Sequence, residues 1–177
     1  MRVFLAVEVG DEVREEVGRL GKTLKWKFPF LRVVPPKNLH ITLRFFGEVD
    51  DRTLRRIGES LKGRFIGSRF SLRLGKVGGF PSRFGARVIW VGIEDDKKLQ
   101  SLSDRLDTLL GDPSIPPRDK PFVAHITVAR SRRPVNVEGF SVSPVGFEVR
   151  RVVLFRSILA RPNAIYEPLD YYYLADT

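Results

Sequence analysis

Cysteine is absent from this 177-residue chain, and histidine occurs only twice. The first absence removes disulfides, a thiolate nucleophile and any cysteine-ligated zinc site. The second leaves too few imidazoles for a histidine-rich metal cluster, although a carboxylate site for magnesium stays open. No apolar run approaches the roughly 18 residues of a membrane span, and MRVFLAVEVGDEVREEV reaches Glu8 and Asp11 too early for a secretory signal. A cytoplasmic protein with no membrane association is the expectation. Low-complexity tracts are missing too, and the proline-rich stretches VVPPKN and PSIPPRDKP are too short to be linkers between independent domains. They read as loops that end one element and fix the next, so residues 1–177 are expected to form a single domain.

What the chain has in excess is positive charge. Its 31 Lys+Arg against 21 Asp+Glu leave a formal charge of +10, spread along the whole length. Such a surface attracts polyanions, though it also suits a merely soluble basic protein. Hydrophobic residues make up 42% and charged residues 29%, the balance of a globular protein.

Period-two alternation of apolar residues predicts strands over 2–8, 39–46, 69–75, 86–93, 123–129, 151–159 and 165–174. Three stripes carry helical spacing instead: Val13, Val17, Leu20 and Leu24; Leu54, Ile57 and Leu61; Leu99, Leu102, Leu106 and Leu109. Asp11, Asp50 or Asp51, and Asp95 or Asp96 stand at the expected helix starts, where a carboxylate can accept free backbone N–H groups. Strands interspersed with helices in this order predict an α+β fold.

Both histidines sit in the same local sequence. Pro36 leads to Leu39-His40-Ile41-Thr42-Leu43, and Pro121 leads to Ala124-His125-Ile126-Thr127-Val128. With six threonines in 177 residues, finding one two places after each histidine by chance has odds of roughly one in a thousand. The histidines lie 85 positions apart (125 − 40), close to half the chain, which suggests two similar lobes. In a strand, residues i and i+2 share a face, so His40 aligns with Thr42, and His125 with Thr127, while the flanking aliphatic residues anchor the opposite faces.

Two such strands lining one cleft would suit phosphodiester cleavage. One neutral imidazole takes a proton from the attacking hydroxyl, one imidazolium gives a proton to the leaving oxygen, and the two threonine hydroxyls hold the non-bridging oxygens. The scheme calls for no metal and no cofactor. A structural repeat without catalysis would leave the same motif.

The paired motifs resemble those of the two-histidine (2H) phosphoesterases, and within them the bacterial and archaeal RNA 2′,3′-cyclic phosphodiesterases, also called 2′-5′ RNA ligases. The resemblance covers nearly the whole chain: MRVFLAVEV, PPKNLHITLRFFGEV, GGFPSRFGARVIWVGI, PFVAHITVAR, and a terminal region holding Leu154, Ser157 and Tyr166. One departure is RPNAIYEPL, which replaces a more usual glycine-containing turn before the tyrosine. The resemblance implies a bilobal α+β fold with pseudo-two-fold symmetry, two antiparallel sheets lining a central basic cleft and helices outside. It implies metal-independent hydrolysis of an RNA terminal 2′,3′-cyclic phosphate to a 2′-phosphate. It also implies roles that the symmetric motifs do not distinguish, His40 as general acid and His125 as general base, with Thr42 and Thr127 on the phosphate. The same residues would join a cyclic phosphate to a 5′-hydroxyl, a step that shares its transition state with its own reverse, the cleavage of a 2′-5′ linkage back to a cyclic phosphate.

Strict alternation puts Arg44 on the His40 face, where it could meet phosphate. The same rule puts Arg130 on the face opposite His125, and it reaches the cleft only if the strand ends or bulges near Ala129. Phe80, Arg83 and Phe84 in GGFPSRFG are candidates for stacking on unpaired bases, and Trp90 reads as core. The partner expected is RNA ending in a 2′,3′-cyclic phosphate, bound by a monomer needing no protein partner. Two other readings stay open: a non-catalytic RNA-binding module, which leaves the doubled motif without a purpose, and a metal-dependent phosphodiesterase, disfavoured by the shortage of histidine.

Overall fold

The structure is a computed structural model and describes residues 1–176. Nine strands and three helices follow one another as β1 (Arg2–Glu8), α1 (Asp11–Lys27), β2 (Arg32–Val33), β3 (His40–Glu48), α2 (Asp51–Leu61), β4 (Phe70–Ser82), β5 (Gly85–Glu94), α3 (Lys97–Leu109), β6 (His125–Val135), β7 (Gly146–Val149), β8 (Arg151–Ile158) and β9 (Ile165–Tyr173). A single 3-10 turn at Pro36–Asn38 precedes the first histidine.

The strands form two sheets, β3-β1-β8-β9 and β2-β6-β5-β4-β7, and their pairings are antiparallel. The α+β architecture expected from the strand and helix order is present. Each histidine opens its strand, β3 or β6, and the two strands contact one another where the sheets meet.

The alternation that predicted the strands reflects which face each sheet buries. Leu39, Ile41 and Leu43 on one side, and Ala124, Ile126 and Val128 on the other, belong to one continuous apolar cluster that includes the helix stripes. Burying a side chain of this size is worth about 1.5–3 kcal/mol, so these residues fix which face of each strand the imidazole takes.

Helix α1 packs on β6 and β7, and it lies so close to β2 that a Cβ at Gly21 would stand 2.8 Å from Val33 Cγ1. The second helix start follows the expected capping, with the Asp50 side chain accepting from Thr53 N at 2.8 Å, and at the third the Asp95 carboxylate accepts from Lys97 N at 3.4 Å. Asp11 is the first helical residue after Gly10, and Asp96 precedes α3 without a side-chain cap. No helix among the described residues is long and apolar enough to cross a membrane.

Candidate active site

His40, Thr42, His125, Thr127 and Arg130 line one cleft of about 270 Å³, together with Arg2, Phe4, Asn38, Phe45 and Tyr166 among others. The two halves of the chain thus deliver their matching motifs to the same space.

The ring nitrogens are set by the backbone. His40 Nδ1 lies 2.7 Å from the carbonyl of Asn38, and His125 Nδ1 lies 2.7 Å from the carbonyl of Val123. A carbonyl can only accept, so each Nδ1 carries its hydrogen, and in the neutral ring Nε2 is left as the free acceptor. His40 Nε2 is 3.0 Å from Thr42 Oγ1, so the imidazole and hydroxyl that share a strand face also meet.

Both imidazoles hold their protons less tightly than an ordinary histidine. Burial is the main cause for each, opposed by the backbone hydrogen bond and reinforced by the charge of Arg130; His40 is also pushed down by His125. Arg130 therefore sits close enough for its charge to reach both rings.

Aromatic rings brace each histidine edge-on. Tyr166 meets His40 at 5.2 Å and 87°, and Phe80 meets His125 at 5.3 Å and 84°. Trp90, expected in the core, instead lies on the cleft side of its sheet, 5.4 Å from Phe80 and 6.5 Å from His125. The indole spreads over Gly78, where a Cβ would come within 2.4 Å of the ring, so the strand glycine makes room for it.

Strict alternation fails at the same place in both motifs. The β1–β3 register shifts between Leu5↔Arg44 and Ala6↔Thr42, leaving Leu43 as an extra residue, and the β5–β6 register shifts between Ile89↔Ala129 and Trp90↔Thr127, leaving Val128. A bulge reverses the faces of every residue after it. Arg44 is consequently not on the His40 face: it is buried at 4% exposure and bonded to Asp107 at 3.1 Å and the Pro116 carbonyl at 2.6 Å. Its place in the cleft is taken by Phe45, over whose ring Arg2 lies at 4.8 Å. In the second motif the same bulge sends Ala129 inward and brings Arg130 into the cleft. Phe45 and Arg130 occupy equivalent positions, five residues after their histidines.

Arg83 and Phe84 form the tip of the β4–β5 hairpin, outside the cleft lining, where the guanidinium lies 4.8 Å over the Phe84 ring and 4.0 Å from Glu138.

Asn38 lies in a stretch whose sequence reads as a loop. It is 9% exposed, and its side-chain Nδ2 donates to the Ala164 carbonyl at 2.9 Å, two residues before Tyr166. It therefore links the carbonyl that orients His40 to the strand that carries the bracing tyrosine. Val123, its counterpart in the second motif, is 49% exposed and makes no such tie. Among the described residues no group of three or more His, Asp or Glu side chains is placed to hold a metal ion.

The family model described as LigT-like phosphoesterase matches the chain over residues 7–90 and 91–166, each segment holding one of the two motifs. The RNA 2′,3′-cyclic phosphodiesterase of Archaeoglobus fulgidus is 37% identical over 96% of this chain and 98% of its own length. The protein of that name from Thermus thermophilus is 33% identical over 96% of this chain and 88% of its own. Among solved structures, a Thermus thermophilus protein superposes with a TM-score of 0.86 at 30% identity, covering 99% of both chains. Escherichia coli LigT in complex with 3′-AMP does so with a TM-score of 0.80 at 26% identity, covering 98% of this chain and 97% of that one.

Proposed function

The chain belongs to the LigT-like phosphoesterase family, and from that premise we infer that it hydrolyses the 2′,3′-cyclic phosphate at an RNA end to a 2′-phosphate. The observation that carries the inference is the convergence of two His-Ile-Thr strands on one cleft.

In the mechanism that follows, water attacks phosphorus while His125 Nε2 takes its proton. The bond between phosphorus and the 3′ oxygen breaks as His40 Nε2–H protonates that oxygen, leaving a 3′-hydroxyl and a 2′-phosphate. Fixing Nδ1–H on the Asn38 and Val123 carbonyls supports these roles, because it leaves both Nε2 atoms to face the cleft; neutral His40 Nε2 accepts from Thr42 Oγ1 at 3.0 Å, and protonating that nitrogen frees the threonine hydrogen for the phosphate. Thr42 and Thr127 donate hydrogen bonds to the non-bridging oxygens, and Arg130 adds positive charge as the phosphorus becomes pentacoordinate. Each acid or base group of this kind contributes about 10² to 10⁴ in rate, or roughly 3 to 5 kcal/mol of barrier.

Burial and the Arg130 charge shift both rings toward the neutral form. The arriving phosphodiester carries one negative charge, which favours the imidazolium that His40 needs as an acid. With a 5′-hydroxyl in place of water, the same two transfers make a 2′-5′ linkage.

Incubation with chelator on an oligoribonucleotide ending in a 2′,3′-cyclic phosphate tests the reading. The expected product carries a 2′-phosphate; an unchanged end, or activity lost to the chelator, would overturn it.

A further inference from the structure

We propose that the RNA chain leading to the terminal phosphate lies along an arginine track that leaves the cleft at Arg130 and follows β2. This deepens the function given above and rests on it.

The direction comes from the backbone. Val33 points at α1, against Gly21, so Arg32 and Val34 point to the opposite side, and Val34 is part of the cleft wall. Phe30, two residues further back and 40% exposed, continues the same row. Across the β2–β6 pairing, Arg32 stands directly opposite Arg130. Beyond Arg130, β6 loops out: Arg130 pairs with Val88 and Val135 with Ala86, leaving Ser131–Pro134 without counterparts. That bulge is tied down by Arg87 Nη1, which donates to the Arg132 carbonyl at 2.7 Å. It lays the Arg133 guanidinium 4.0 Å over the Phe30 ring. From the cleft outward the order is Val34, then the Arg32–Arg130 pair, then Phe30 with Arg133.

Like charges directly opposite one another in a sheet are destabilising. Some arginines are relieved by a carboxylate, Arg44 and Arg118 sharing Asp107 and Arg151 lying on Glu8, while others such as Arg52 and Arg55 stand in no ion pair among the described residues. What sets Arg32 and Arg130 apart is that they face one another across a strand pairing. Among the described residues, no carboxylate lies within 4.0 Å of Arg32, Arg130, Arg132 or Arg133 in any ion pair, and all four are exposed. A cleft for one phosphate needs Arg130 alone. Guanidinium groups continuing past it in a row fit the successive phosphates of a single strand, and the Phe30–Arg133 stack offers a flat face to a base.

The test is the salt dependence of binding, read by fluorescence anisotropy with a short single-stranded oligoribonucleotide ending in a 2′,3′-cyclic phosphate. Each lost phosphate contact reduces the slope of log affinity against log salt by about 0.7. The double variant Arg32→Gln/Arg133→Gln should lower the slope by about 1.4, so that about sevenfold less affinity is lost between 50 and 200 mM salt. Arg52→Gln/Arg55→Gln on α2 removes the same charge from exposed residues elsewhere and should leave the slope unchanged. Turnover of a 2′,3′-cyclic mononucleotide, which has no chain to lay on the track, should change less than about twofold in the Arg32/Arg133 variant. An unchanged slope, an equal drop in the α2 control, or an equal loss on the mononucleotide would overturn the proposal. If the unaltered protein hydrolysed neither substrate, the proposed function would fall while the slope still decided the track.

Discussion

Replacing Asn38 by Ala separates positioning from catalysis. The substitution deletes the 2.9 Å bond to the Ala164 carbonyl, a partly buried hydrogen bond worth about 0.5–1.5 kcal/mol. For a chain of this length each kcal/mol lowers the melting temperature by about 2–4 °C. The same cut loosens the segment whose backbone carbonyl holds His40 Nδ1 at 2.7 Å and the strand that presses Tyr166 on the ring. A misplacement on the order of 1 Å can cost about 100-fold, so kcat should fall about 10- to 100-fold with little change in KM. Because the Asn38 carbonyl favours the charged ring, weakening it lowers the His40 pKa further. The alkaline limb of the pH–rate profile, where the acid loses its proton, should then move to lower pH. Val123→Ala is the matched control: its carbonyl holds His125 at the same distance, but its exposed side chain ties nothing, and turnover should stay within about twofold. A lowered melting temperature with unchanged kcat and an unmoved alkaline limb would refute the reasoning.

Arg130→Gln should weaken phosphate binding and shift both limbs of the kcat/KM profile to higher pH, because the Arg130 charge depresses both imidazoles and its removal lets each hold its proton more tightly. Asp107→Ala removes the carboxylate shared by Arg44 and Arg118 and should cost about 3–5 kcal/mol by leaving a buried guanidinium unpaired, measured by denaturant unfolding. Native histidine pKa values below 6.5 mean that the unfolded chain binds more protons than the folded one as pH drops below 6.5. The histidine contribution to stability should be fully present above that pH and lost as pH falls through it toward the native values, checked by denaturant midpoints with and without His40→Asn.

The candidate site residues were legible because they are doubled: two histidines, both followed by Ile-Thr, on strands whose aliphatic face turns inward. Helix stripes were legible for the same reason, since burial of one face writes a period into the sequence, but the two longest strands were read only in their first part, β4 running on to Ser82 and β6 to Val135. The bulges at Leu43 and Val128 were not, because an aliphatic residue fits a regular ladder as well as an irregular one. That single omission misplaced Arg44 and hid Phe45, whereas Arg130 had been tied to just such a break near Ala129. Trp90 was misread because a tryptophan in a strand looks like core, and its place over Gly78 depends on a partner strand. Asn38 was hidden since its partner, Ala164, lies 126 positions away. The short strands β2 and β7 were missed because two to four residues carry too little alternation to read.

The most direct test of the two-histidine account is the pH dependence of kcat/KM for a cyclic-phosphate oligonucleotide in three proteins. The unaltered enzyme should give a bell, His125→Ala a weak residual rate without the acidic limb, and His40→Ala one without the alkaline limb. Either variant retaining a full bell at near-normal rate would contradict the claim that these two rings act on one phosphorus.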